Sequence, residues 1–271
     1  MIVHAHPQER RKSSILAEIL DRRASDLEAI KQEIPLDRIK DEAFEAGPPR
    51  DFMRAIKNRT PAVIAEFKRS SPSAGVLRKQ AQPAATARMY EDHGAAAVSV
   101  LTEPHYFAGS LDDLREIRSH IQLPVLRKDF IVDPYQVYES RAAGADAFLL
   151  IAAACTTEQL RTLIQLGNDL HMAALVEIRD QEESDRAVRA GAALIGINNR
   201  CLNTFTVDLG TTLDLAPRMP PECTVVAESG FRTHEDLERC RSAGVQAFLI
   251  GTALMSAPDP GEALMNLLRK R

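Results

Sequence analysis

Ala62-Val-Ile-Ala-Glu-Phe-Lys-Arg-Ser-Ser-Pro-Ser-Ala-Gly75 begins as an apolar run and ends among small, polar and turn-forming residues. A strand turns successive side chains to opposite faces, so Ala62, Ile64, Glu66 and Lys68 share one face. On that face two apolar residues hand over to a carboxylate and an ammonium. Alternation toward water would put the charges opposite Ile64, not in line with it. Burying either charge is costly unless it is paired, and Glu66 and Lys68 can pair with each other. Taken alone, the stretch also reads as a strand that merely surfaces into a loop. Recurrence along the chain favours the first reading.

Similar β-favouring runs follow Ala62–Glu66 at Ala97–Leu101, Pro124–Lys128, Ala147–Ile151, Met172–Glu177, Leu194–Asn198, Thr224–Glu228 and Ala247–Gly251. Their spacing suits a strand followed by a crossover helix. The intervening segments carry helical periodicity at Leu111–Ile117, Tyr135–Ala143, Glu158–Gly167, Gln181–Ala190 and His234–Ala243. A weak repeat supports the same beat. Gly94-Ala-Ala-Ala-Val, Gly144-Ala-Asp-Ala-Phe, Gly191-Ala-Ala-Leu-Ile and Gly244-Val-Gln-Ala-Phe each join a helix end to a strand, where glycine suits a left-handed residue. Eight such units predict a (β/α)8 TIM barrel. An open doubly wound sheet is the alternative, but the first strand is not followed by GxGxxG.

Residues 1–61 read as an N-terminal helical extension packed on the barrel, and 62–271 as the barrel itself. Ile15, Leu16, Ile19, Leu20, Leu27 and Ile30 keep helical spacing behind Ser13 or Ser14 as N-cap. Pro35 and Gly47-Pro-Pro49 break the pattern, and Asp51 can cap a short helix through Ile56. The apolar positions are too few for a separate core. A net charge of -4 argues against a nucleic-acid partner. No run approaches the roughly 18 apolar residues of a membrane span, and the N-terminus lacks a signal-peptide core. Cys155, Cys201, Cys223 and Cys240 are scattered without CxxC spacing, which suits reduced thiols in the cytoplasm. The seven histidines form no ligand cluster, His4 and His6 lying in the N-terminal tail, so no metal site is expected.

Active sites of such barrels lie at the C-terminal strand ends. Here these are Glu66 and Lys68, Thr102-Glu103, Lys128-Asp129, Glu177, Asn198-Asn199-Arg200, Glu228-Ser229-Gly230 and Gly251-Thr252. Parity turns Lys128 inward with Leu126, Glu177 with Leu175, Asn198 with Gly196, and Glu228 with Val226. One charged strand end is ordinarily a solvated loop residue; seven polar ends around one mouth predict a site. Ser229-Gly230 and Gly251-Thr252 follow the last two strands, where backbone N–H groups often hold a phosphate. Lys68, Lys128 and Arg200 exceed what one phosphate needs, so either a second anionic group binds or Glu66, Glu177 and Glu228 neutralise them. Interleaved lysines and carboxylates suit proton transfer in both cases.

Ile64-Ala-Glu-Phe-Lys-Arg-Ser-Ser-Pro-Ser73, Leu101-Thr-Glu-Pro-His-Tyr-Phe107, Leu126-Arg-Lys-Asp-Phe-Ile131, Leu175-Val-Glu177, Ile195-Gly-Ile-Asn-Asn-Arg200, Ala227-Glu-Ser-Gly230 and Leu249-Ile-Gly-Thr-Ala-Leu-Met255 resemble the indole-3-glycerol-phosphate synthase family. The likeness runs in order through almost the whole chain. It implies a TIM barrel of tryptophan biosynthesis that closes the indole ring of 1-(2-carboxyphenylamino)-1-deoxyribulose 5-phosphate. Carbon dioxide and water leave, and neither metal nor organic cofactor takes part. The resemblance makes Lys128 the general acid at the ketone and Glu177 the base of the later dehydration. Lys68, held by Glu66, is implied to contact the anthranilate carboxylate and to serve as a second proton donor. Asn198 and Glu228 would orient sugar hydroxyls and lysines, with Arg200 a further cation. Ser71, with Pro72-Ser73, belongs to a mobile first loop, and Phe107 and Phe130 would sandwich the anthranilate ring. Ser229, Gly230, Gly251 and Thr252 carry over as the phosphate site. Cys201 stands where the family usually has Asp or Asn, and Thr252 replaces a frequent serine. A phosphorylated small molecule is the implied partner, and no obligate protein partner is.

The rival enzyme, phosphoribosylanthranilate isomerase, wants a cysteine base after strand one, where this chain has Glu66 and Lys68. A non-catalytic ligand-binding barrel is the other alternative; the retained Lys128 and Glu177 argue against it.

Overall fold

The computed structural model describes residues 14–202 and 204–269. Ser13, His4 and His6 fall outside them. Three helices come first: α1 (Ile15–Glu33), α2 (Leu36–Glu45) and α3 (Phe52–Lys57). Ser14 caps α1 by accepting from Ala17 N, and Asp51 caps α3 by accepting from Arg54 N. The strands are β1 (Ala62–Phe67), β2 (Ala97–Leu101), β3 (Val125–Lys128), β4 (Ala147–Ile151), β5 (Ala173–Ile178), β6 (Leu194–Asn198), β7 (Thr224–Glu228) and β8 (Ala247–Ile250). All eight are parallel and close in chain order, β8 returning to β1 with Ile64 opposite Leu249.

Between strands run α4 (Pro83–Asp92), α5 (Leu111–His120), α6 (Pro134–Ala142), α7 (Thr157–Asp169), α8 (Gln181–Arg189), α9 (Gly210–Leu215) and α10 (His234–Ser242). The short α11 (Thr252–Met255) and then α12 (Pro260–Leu268) finish the chain. This is the (β/α)8 barrel that the sequence predicts. The four Gly-led joins sit at φ between 89° and 104°, the left-handed region past a helix end. Strand ends differ from expectation by one residue for chemical reasons. Pro124 has no N–H to give and contributes only its carbonyl, to Val98 N, so β3 starts at Val125. Gly251 turns out of β8 to begin α11.

Strand parity sorts the apolar side chains into two layers. Val63, Ala65, Val98, Phe148 and Val176 pack outward under the helices, while Ile64, Leu126, Leu149, Leu175, Val226 and Leu249 fill the barrel. The first and third N-terminal helices, α1 and α3, join the inner layer. Phe52 and Ile56 of α3 are buried with Ala62 and Ala97, at the strand starts, and Ile19 of α1 belongs to the same cluster. Burying each such large side chain contributes about 1.5–3 kcal/mol. No helix among the described residues is long and apolar enough to cross a membrane.

Candidate active site

At the C-terminal mouth the parity rule holds. Glu66, Lys68, Lys128, Glu177, Asn198, Arg200 and Glu228 line one pocket. Lys68 Nζ meets Glu66 Oε1 at 2.5 Å. Lys128 Nζ lies 3.2 Å from Glu177 Oε2 and 3.1 Å from Glu228 Oε2. These acids neutralise the two lysines. Glycines make the cluster possible. A Cβ at Gly196 would collide with Glu228 Oε1, and one at Gly251 would collide with Glu66 Oε1. Only a residue without a side chain admits the carboxylates at these depths.

The electrostatics are those of a crowded, buried cluster. Burial works against the Lys128 ammonium, but Glu228, Glu177 and Glu66 overcome it and hold its pKa above the ordinary lysine value. Burial also pushes the Glu228 carboxyl up to about 8, with Glu177 and Glu66 adding to the rise and Lys128 opposing it. Glu228 Oε1 is buried and has no hydrogen-bond partner. Three carboxylates therefore crowd two ammoniums. Arg200 donates Nη1 to the Phe205 carbonyl at 3.1 Å; burial lowers its pKa and Glu66 resists the change.

The remaining predicted residues also reach the pocket. Ser71, Phe107, Phe130, Ser229, Gly230, Gly251 and Thr252 line it. Ser71 sits in a short hairpin, Ser70–Ser71 pairing with Gly75–Val76, and Arg69 at its base pairs with Asp113 of α5. Phe107 and Phe130 face each other, centroids 6.1 Å apart and planes at 37°. A ring stacked between them needs about 7 Å, twice a carbon contact distance, so a sandwich requires one ring to swing aside. Two residues after β2 depart from the expected pattern. Glu103 is fully buried and accepts from the N–H groups of His105, Tyr106 and Phe107, so it shapes the loop that presents Phe107. Thr102 donates to Asp129.

Asp129 borders the pocket, but its oxygens are committed to Thr102, Arg127, Arg23 and the Phe130 N–H. Sequence reasoning missed the partner, Arg23, and with it the wall formed by Ile15, Leu16 and Ile19 of α1. That wall was legible only as three apolar residues just inside a helix cap.

A family model, Indole-3-glycerol phosphate synthase, matches residues 16–267. The chain belongs to the indole-3-glycerol phosphate synthase family. It is 48% identical to the Indole-3-glycerol phosphate synthase of Polaromonas naphthalenivorans over 259 residues, covering 94% of this chain and 98% of that one. The protein of the same name from Dehalococcoides mccartyi is 45% identical, with 94% and 100% covered. Among solved structures, a 3-hexulose-6-phosphate synthase superposes with TM-score 0.63 at 14% identity, covering 76% of this chain and 97% of that one. A thiamine phosphate pyrophosphorylase from Pyrococcus furiosus gives 0.59 at 15%, covering 79% and 95%. These two share the fold; family membership rests on the sequence matches.

Proposed function

We propose that this chain closes the indole ring of 1-(2-carboxyphenylamino)-1-deoxyribulose 5-phosphate, giving indole-3-glycerol phosphate, carbon dioxide and water for tryptophan biosynthesis. The observation that carries the proposal is the Lys128 ammonium, held between Glu177 and Glu228 inside an apolar-walled mouth. An ammonium so placed gives its proton to the substrate ketone as the ring carbon attacks, and its charge stabilises the developing alkoxide. The attacking carbon is the one bearing the carboxylate, so loss of carbon dioxide returns an electron pair to the ring. Glu177 then takes a proton as the hydroxyl departs as water. Its place beside Lys128 lets the two groups act on one reaction centre in sequence.

The other roles follow the positions of the side chains. Lys68, steadied by Glu66, takes the anthranilate carboxylate and serves as a second donor. Asn198 and Glu228 orient the sugar hydroxyls and Lys128, and Arg200 adds positive charge. Phe107 and Phe130 hold the aromatic ring. Ser229, Gly230, Gly251 and Thr252 take the phosphate, the Ser229–Gly230 turn being left-handed at φ 67° and 96°. We assign residues 1–61 to a helical extension packed on the barrel and 62–271 to the barrel. One chain supplies every group named, so no protein partner is required. A cytoplasmic setting suits the buried thiols of Cys155, Cys223 and Cys240.

The test mixes the purified protein with the carboxyphenylamino-deoxyribulose phosphate in the presence of chelator and follows indole fluorescence. A rise supports both the reaction and its independence of metal. Tight binding without a rise sinks the proposal.

A further inference from the structure

Asn199 stands between Asn198 and Arg200, which line the pocket, yet does not line it itself. Its parity turns it away, and it is buried at 3% exposure. Every polar group it carries is used. Its Nδ2 donates to the Ser229 carbonyl at 3.0 Å. Its Oδ1 accepts from Thr212 N at 3.1 Å and Thr212 Oγ1 at 2.8 Å, at the start of α9. Its backbone N donates to the Glu228 carbonyl, and its carbonyl accepts from Asp208 N, both at 3.0 Å.

The target of that side-chain amide is unusual. Ser229 has φ 67°, a left-handed conformation that a residue with a Cβ adopts at a cost and keeps only when its surroundings fix it. The next residue, Gly230, packs so tightly that an added Cβ would stand 2.7 Å from Val207 Cγ1. Val207 belongs to the returning arm of the loop after β6, bridged to Arg200, and Asp208 is the residue that the Asn199 carbonyl holds. Asn199 thus grips the turn after β7 on one side and the segment packed over it on the other.

We propose that Asn199 is a positioning residue for phosphate: it holds Ser229 left-handed, so that the Ser229–Gly230 turn presents its donors to the substrate's phosphoryl oxygens. It touches no substrate atom. This rests on the assignment of that turn to the phosphate under the proposed function.

The test is a double-mutant cycle between Asn199→Ala and Ser229→Gly, read by substrate KM and kcat and by competitive inhibition with inorganic phosphate. Glycine adopts positive φ freely, so the need for Asn199 should fade in the Ser229→Gly background. With Ser229 present, Asn199→Ala should raise KM and the inhibition constant of phosphate together by about tenfold, the scale of one hydrogen bond to a buried group. The kcat should change less than KM does. In the Ser229→Gly background the same substitution should cost about twofold or less. Asn199→Asp, nearly isosteric, keeps the acceptor for Thr212 and loses the donor to Ser229. Above neutral pH it should repeat the KM effect if Asn199→Ala fails to fold. Equal effects of Asn199→Ala in both backgrounds, or an effect confined to kcat, overturn the proposal. If inorganic phosphate does not compete even with the unsubstituted enzyme, the phosphate assignment itself falls. Competition that Asn199→Asp leaves unchanged removes the positioning role alone.

Discussion

Two buried charge clusters lie back to back on β3. Lys128 points into the barrel, where Glu177, Glu228 and the Glu66–Lys68 pair surround it. Arg127, one residue earlier, points out toward α6, where Glu139 and Asp129 take its guanidinium and Arg23 of α1 joins Asp129. In the outer cluster Asp129 bridges two guanidiniums, Arg127 also taking Glu139 and Arg23 also reaching Asp26 at 3.5 Å. Burial disfavours both ions there, yet the pairing holds Asp129 below the usual carboxylate value and Arg127 above its own. The inner cluster sets three carboxylates against two ammoniums, leaves Glu228 Oε1 unpartnered and raises that carboxyl to about 8. One strand therefore carries one network in which both oxygens of Asp129 are committed and another in which an oxygen of Glu228 is not.

Substitutions can break that contrast. Lys128→Ala should cost the most, about 10⁴-fold in kcat, the upper end for a general acid. Substrate binding should survive, because the ring and phosphate contacts lie elsewhere; calorimetry separates the two. Asp129→Ala should act in the opposite sense, on the fold. It leaves Arg127 short of a buried partner, a change that costs about 3–5 kcal/mol, visible in denaturant unfolding. Glu177→Gln should lower kcat about 10²-fold while the initial binding step stays intact, as measured by rapid mixing with the substrate.

Stability should also depend on pH. Folded Glu228 titrates near 8 against an ordinary value of 4.5, so between those values the native state holds more proton than the unfolded chain. The contribution is full below 4.5 and is lost as pH rises through about 8. Glu228→Gln should remove this slope. Its stability relative to the parent should improve as pH rises through that window. A difference that stays flat with pH would remove the contrast with Asp129.

Much of this was legible in the sequence. Period-two alternation by itself puts Glu66, Lys128, Glu177, Asn198 and Glu228 on the inner face, because parity is a local property of a strand. The glycine-led joins and the Asp51 cap are local too. Parity gives a face but not a partner. Thr102, Glu103 and Asp129 read as mouth residues, yet they serve Arg127, Arg23 and the loop carrying Phe107. Arg23 lies 106 residues from Asp129, and no local pattern announces such a pairing. The roles of Gly196 and Gly251 as gaps for carboxylates were hidden for the same reason: each depends on a side chain from the neighbouring strand.

On the proposed function, the inner cluster charges and aims the Lys128 ammonium. Lys128→Met keeps most of the length of the side chain and removes the proton. A single-turnover experiment, with enzyme in excess and indole fluorescence as the signal, measures ring closure apart from product release. The variant should bind substrate within about tenfold of the parent and close the ring about 10⁴-fold more slowly. Ring closure at a rate near that of the parent would contradict that role.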